Sequence, residues 1–279
     1  MLKETLFSSK VLTIITHLLL IVVGVTMIVP FLWMFSTSLK DVTELYEYPP
    51  KWIPSHLNWQ NYIKAMELAP FGRFYLNSLL VTFCITLGQI ITACLAAYVF
   101  ARIEFPGRDI LFVIYLSTMI IPVQVTIIPL FLIVKQLGWF DTYQGLIIPF
   151  IARAFPIIFL RQFFMTLPKD LEDAAKVDGC GHLRFLWKIL LPTARPALST
   201  IGLFTFLFHW RDYLWPLVIT NTTEMRTLPV GLRYFVSEQG TQFHYMMAAS
   251  IIVTIPIVLI YLFAQKQFIK GVTMTGLKG

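Results

Sequence analysis

Six stretches of this chain are long and apolar enough to cross a bilayer, and that feature constrains everything else it can do. A hydrocarbon core about 30 Å thick takes roughly 20 helical residues. The stretches are residues 12–35, 74–98, 110–134, 143–160, 198–219 and 245–263. Composition agrees: the 279 residues are 57% hydrophobic and 13% charged, against about 25% charged in an ordinary soluble domain. A water-soluble fold and a disordered chain are both excluded. The class is an all-α integral membrane protein, with one transmembrane domain over residues 1–279.

The first stretch follows Lys3 and Lys10 as a signal peptide would. It is longer than the usual 7–15 apolar residues, and no small-x-small cleavage site follows, so it reads as a retained helix. The net charge of +7 fits loops beside anionic lipid rather than a nucleic-acid partner. Three cysteines make no disulfide scaffold. Cys84 and Cys94 share one helix about 15 Å apart, beyond bridging distance.

Orientation follows from the loop charges. Residues 1–11, 99–109, 161–197 and 264–279 hold thirteen Lys and Arg; residues 36–73, 135–142 and 220–244 hold seven. This places both termini and the 161–197 loop in the cytoplasm. Prolines 30, 122, 129, 149, 156, 216 and 256 punctuate the spans. Each removes a backbone donor and tends to kink its helix. They fit irregular packing and a central cavity between bending helices equally well.

The 161–197 loop reads RQFFMTLPKDLEDAAKVDGCGHLRFLWKILLPTARPA. Pro168 suits a first helical position. Asp170, Glu172 and Asp173 follow, where acidic groups favour a helix start. Leu171, Ala174 and Ala175 share one shallow face at i, i+3 and i+4 spacing. Gly179 sits where a left-handed cap is needed. A second helix runs from about His182 to Leu191, and Pro192 ends it. An amphipathic hairpin on lipid headgroups and a hairpin docking a protein both fit this pattern.

The spacing resembles the EAA loop of ABC importer permeases, E-A-A-x3-G-x9-I-x-L-P. Asp173, Ala174 and Ala175 align with E-A-A, Gly179 follows three residues later, and Ile189, Leu191 and Pro192 follow nine more. Asp173 in place of Glu is the one departure. The wider string LEDAAKVDG, with Glu172 and Asp178, resembles the carbohydrate-importer branch. So do WRDYLWPLVIT, EMRTLPVGL, MMAAS and the early PFLWMFSTSLK. The end KGVTMTGLKG resembles the tail of the maltose-permease type, and glycerol-3-phosphate permeases share the general pattern.

The resemblance implies a type I ABC importer permease fold: six transmembrane helices and a cytoplasmic EAA coupling helix. Glu172, Asp173, Ala174, Ala175, Asp178, Gly179, Ile189, Leu191 and Pro192 would form the joint with a cytoplasmic ATPase. Residues 271–279 are a second expected contact with it. The external loop 221–243 would reach the solute-binding protein. The chain itself would be no enzyme and bind no cofactor, with ATP and Mg held on an ATPase dimer. A second, different permease subunit and the lipid bilayer complete the expected partners, and no nucleic acid is expected. The implied function is alternating-access import of a sugar or a related polyol or glycerol-phosphate solute. The implied location is a bacterial or archaeal plasma membrane.

Polar groups inside spans are candidates for the substrate path, because an intramembrane charge needs a cavity or a partner. They are His209, Arg211, Asp212 and Tyr213, with Gln124 and Arg153. Arg211 and Asp212 are adjacent and cannot face each other on a helix. An ion-coupled secondary transporter is the alternative. It favours unpaired intramembrane carboxylates and inverted repeats, and Asp212 is the only carboxylate in a span. A membrane enzyme would need clustered acid–base or metal-ligating residues, whereas His17, His56, His182, His209 and His244 are scattered. The closest approach to a phosphate-binding G-x4-G-K-[ST] is Gly271 to Gly276, followed by Leu277.

Overall fold

A computed structural model describes residues 2–237 and 240–276, and the side chains of residues 11–236, 240–263 and 265. It divides into two compact units: Met1–Pro70 with Leu232–Thr254, and Phe71–Gly231 with Ile255–Gly279.

The first unit begins with α1 (Leu2–Ser38). Leu18, Leu19, Leu20 and Ile21 are all exposed. Four consecutive helical residues cover every face, so α1 is apolar all round, as a span in lipid must be. Beyond it the chain folds back through a polar clasp. Lys40 is buried, donates to Lys51 O at 2.6 Å and lies 4.1 Å from the Trp33 ring. Burial lowers its pKa from the ordinary lysine value, and the Glu44 carboxylate opposes that shift. Asn61, in α2 (Gln60–Glu67), donates to Ser38 O and Lys40 O, both at 2.9 Å. Strands β1 (Val236–Ser237) and β2 (Gly240–Thr241) form a short antiparallel ladder pairing Val236 with Thr241.

The second unit is built on α3 (Phe71–Arg102). Its 32 residues span about 48 Å, more than a hydrocarbon core. Around it are α4 (Arg108–Ser117), α5 (Val123–Gln136), α6 (Tyr143–Ile147), α7 (Ala154–Thr166), α8 (Asp170–Val177) and α9 (His182–Phe185). Next come α10 (Arg195–Trp210) and α11 (Leu214–Ile219). The last helix, α12 (Phe243–Gly276), begins in the first unit. The main packing is of α3 against α7 and α10. Ala93 and Ala97 of α3 are fully buried there and let the helices approach closely. At Gly88 an added Cβ would collide with the Ile151 side chain.

Four helices are long and apolar enough to cross a membrane, and two bent pairs raise the number to six. Three of the expected spans are not single straight helices. Residues 110–134 bend by 101° between α4 and α5. Pro122 is the cause: the residue before a proline is pushed out of the helical region, and Ile121 is extended at φ −78°, ψ 116°. Residues 143–160 open at Ile151–Arg153 between a tight turn and α7. Residues 198–219 break at Arg211–Tyr213. Pro216 explains this break, since continuing the helix would drive its ring into the Asp212 carbonyl. Leu214, Trp215 and Pro216 instead form a first turn, where the missing N–H costs nothing.

Candidate functional site

Two places in the second unit gather the candidate residues. The first is the loop after α7. Helix α8 starts at Asp170 rather than at Pro168, with Glu172 and Asp173 in its first turn. A full Schellman cap ends it: Gly179 N–H donates to Lys176 O at 3.0 Å and Cys180 N–H to Ala175 O at 2.8 Å. Gly179 has φ +72°, which a side chain would make costly.

The face expected to hold Leu171, Ala174 and Ala175 together is split. Ala175 is buried in a cluster with Phe164, Phe185, Leu186 and Leu190, and Glu172 is buried beside it. Leu171, Asp173, Ala174, Val177, Asp178 and Gly179 are exposed. Glu172 is held by Lys176 at 3.1 Å and lies 3.8 Å from Arg102. Arg102, at the end of α3, also donates to Phe164 O at 2.6 Å and Leu167 O at 2.8 Å. Sequence reading counted Arg102 only as loop charge.

After the cap, α9 widens into a π-helical turn at Leu186–Leu190. Ile189 is half-buried, Leu191 is buried and Pro192 is exposed. Pro192 does not end this helix, which runs on to Thr193. The wide turn one step earlier displaces the Lys188 carbonyl that the proline ring would strike. The chain then bends by 82° into α10. The His182 Nδ1 is 2.8 Å from the Tyr98 hydroxyl, tying the hairpin to α3.

The second place is where the two helix breaks of α6–α7 and α10–α11 meet α3. Gln89 joins them. Its buried amide donates to Phe150 O at 2.7 Å and to His209 Nε2 at 3.2 Å, and its oxygen accepts from Thr205 at 3.2 Å. An amide nitrogen has no acceptor, so His209 carries its proton on Nδ1. Thr92, one turn along α3, donates to Ile151 O at 2.6 Å. The carbonyls freed by the first break are thus satisfied from α3, as a membrane interior demands.

Arg153 stacks 4.8 Å from the Phe150 ring and interacts electrostatically with Asp212. Asp212 accepts from Trp215 N–H at 3.4 Å, and the Trp215 indole donates to Gly145 O at 3.0 Å. Arg211 and Tyr213 are exposed in the break. The structure therefore brings His209, Asp212 and Arg153 together and turns Arg211 away. Gln124 is exposed at the start of α5, and among the described residues no hydrogen bond or ion pair links it to this group. Gln89 was missed in the sequence, although a lone amide in an apolar run is a usable signal. No cluster of metal-ligating side chains occurs among the described residues.

In sequence and in fold this chain matches known transport proteins. The model of the family "Binding-protein-dependent transport system inner membrane component" covers residues 89–274. The chain belongs to that family. It is 36% identical over 268 residues to the sn-glycerol-3-phosphate transport system permease protein UgpE of Yersinia enterocolitica, covering 93% of this chain and 95% of that one. It is 33% identical over 270 residues to the diacetylchitobiose uptake system permease protein NgcG of Streptomyces coelicolor, covering 95% and 89%. A chain of a bacterial ABC transporter that imports the acidic polysaccharide alginate superposes with a TM-score of 0.81 at 27% identity, covering 94% of this chain and 98% of that one. The fold is that of an ABC importer permease, and the chain is a membrane permease subunit rather than an ATPase. As an inner-membrane component it works within a binding-protein-dependent system. The backbone of residues 271–276 continues α12; the side chains of the expected second ATPase contact, 271–279, lie outside the described residues.

Proposed function

We propose that this permease imports a polyhydroxylated solute, a sugar, polyol or glycerol phosphate, driven by ATP hydrolysis on a separate ATPase dimer. One observation carries the reading: α8 is pinned from within by Arg102 and capped at Gly179, yet leaves Leu171, Ala174 and Val177 exposed. A rigid helix with a shallow apolar face is what a cytoplasmic partner can push. The ATPase docks on that face, contacting Asp173, Ala174, Asp178 and Gly179. Glu172, Ala175, Ile189 and Leu191 hold the helix from behind, and Pro192 lies exposed beyond them at the far end of the joint. ATP and Mg stay on the ATPase, and this chain binds no cofactor.

Both termini and the α8 loop lie in the cytoplasm, following the charge bias. A second permease subunit completes the pathway, and an extracytoplasmic binding protein delivers solute. His209, Asp212 and Arg153 line the path and offer polar groups to solute hydroxyls, with His209 held from behind by Gln89. Arg211 and Tyr213, exposed at the second break, and Gln124, exposed at the start of α5, are further candidates for solute contact. The relatives' solutes, a glycerol phosphate and a chitin disaccharide, both carry several such groups.

The test is gentle detergent purification of the chain from its native membrane, followed by mass spectrometry. An ATPase subunit and a second permease should accompany it, and the co-encoded binding protein then identifies the solute. Recovery of the chain alone would overturn the reading.

A further inference from the structure

Two polar fastenings sit on one helix. Near its cytoplasmic end, Arg102 ties α3 to the last carbonyls of α7 and to Glu172 of α8. Thirteen residues earlier, about 20 Å along the helix, Gln89 ties α3 to both helix breaks. Between them Ala93, Cys94, Ala97 and Tyr98 are packed solid against α7 and the loop. The neighbouring routes are poorer. Helix α10 is separated from the loop by an 82° bend, so a push on α8 does not run along its axis. Helix α7 also packs against α10, but Gln89 bonds directly to Phe150 on one side and to Thr205 and His209 on the other.

We infer that α3 is the transmission element: movement of α8 enters it at Arg102 and leaves at Gln89, which shifts the two breaks together. Both are positioning residues, and the inference rests on the docking of an ATPase at α8. Arg102 suits the task because its planar fork holds two carbonyls and a carboxylate at once. Its Nε is buried without a partner, so the head group is held in place by its other contacts. Such a group moves with its partners or breaks from them.

The experiment uses the whole complex in lipid nanodiscs, with the native cysteines replaced and a bimane probe at Leu214→Cys. Leu214 is exposed at the start of α11, beside the second break. ATP with orthovanadate traps the closed ATPase, and the shift of bimane emission reads movement at the break without any solute. With Arg102 and Gln89 present, trapping should shift the emission. Arg102→Gln and Gln89→Leu should each cut that shift at least threefold while the ATPase is recovered at normal stoichiometry. A purely structural role would lower recovery or thermal stability and leave the trapping-dependent shift intact.

A full shift in either variant at normal recovery overturns the inference. If Arg102→Gln itself loses the ATPase, Gln89→Leu, far from the joint, decides by the same criterion. A parent complex that contains the ATPase but shows no shift overturns the inference alone. A parent chain that recovers no ATPase overturns the docking reading, and this one with it.

Discussion

The two ends of α3 hold their loops in opposite ways. At its start, residues 221–228 are strapped down through polar groups. Asn77 donates to Glu224 O at 2.7 Å and Arg226 O at 2.8 Å, and accepts from Tyr143 at 2.7 Å. Ser78 accepts from Leu228 N–H at 2.8 Å. Asp141 takes the amides of Asn221 and Thr222 and the Thr222 hydroxyl. Leu228 and Val230 are buried, so this loop is anchored by apolar as well as polar contacts. At the other end the α8 loop is pinned from within but leaves Leu171, Val177, Leu183 and Trp187 exposed. One loop is closed down on its own chain, and the other is fixed yet leaves an apolar face open. The lesson is that fixity and closure are separate properties: a partner needs a loop that is fixed but not closed.

Substitutions can break that contrast in order of size. Asn77→Leu should cost about 3 kcal/mol, because it strands Arg226 O and the Tyr143 hydroxyl in a buried place. Thermal unfolding followed by tryptophan fluorescence should show the loss, with ATPase recovery per folded chain unchanged. A matching loss of ATPase would mean the strap also serves the joint. Val177→Asp should do the reverse. It is 89% exposed, so folding should change by no more than about 0.5 kcal/mol, while ATPase affinity falls at least tenfold, or about 1.4 kcal/mol. Unchanged affinity by titration would remove α8 as the docking face.

Gly179→Val should lie between these, costing about 1–2 kcal/mol of local conformational energy at φ +72°. Hydrogen exchange at Gly179 and Cys180 amides should quicken, and complex recovery should drop; full transport and normal recovery would sink the joint as drawn. The smallest effect is one of pH. Burial pushes the Asp141 carboxyl up, but the bonds from Asn221 and Thr222 outweigh it and hold the pKa below the usual value. The stabilisation is therefore fully present above about pH 4, the unfolded aspartate value, and is lost as pH falls through the folded pKa. Protection of the Asn221 and Thr222 amides, with exchange corrected for its intrinsic pH dependence, should be flat at neutral pH and fall below pH ~4. Asp141→Asn should remove that dependence while tolerating the local φ of 58°.

Much of this was legible in the residues. Apolar length gave six crossings, and the fixed spacing from Asp173 to Pro192 gave the loop and its family. The breaks were not legible as breaks. Pro122 and Pro216 marked them, but Pro129 and Pro256 sit inside continuous helices, so proline alone does not say where a span opens. The split between Ala174 and Ala175 was also out of reach. Helical spacing sets which residues neighbour each other, whereas the line between core and surface is drawn by the elements that pack behind. Arg102 and Gln89 were hidden for the same reason: their partners lie 62 and 61 residues away or more.

The π-helical turn at Leu186–Leu190 gives the nine-residue spacing after Gly179 a meaning beyond alignment. Such a turn holds one more residue than an α-helical turn of the same rise. Deleting one residue there would let the ladder close regularly, yet it would swing every later side chain by about 100°. Phe185 would keep its place while Leu190, Leu191 and Ala194 rotated out of their cluster. The interval is thus a measuring rod, and its length is protected by geometry even where the identities of its residues are free to drift.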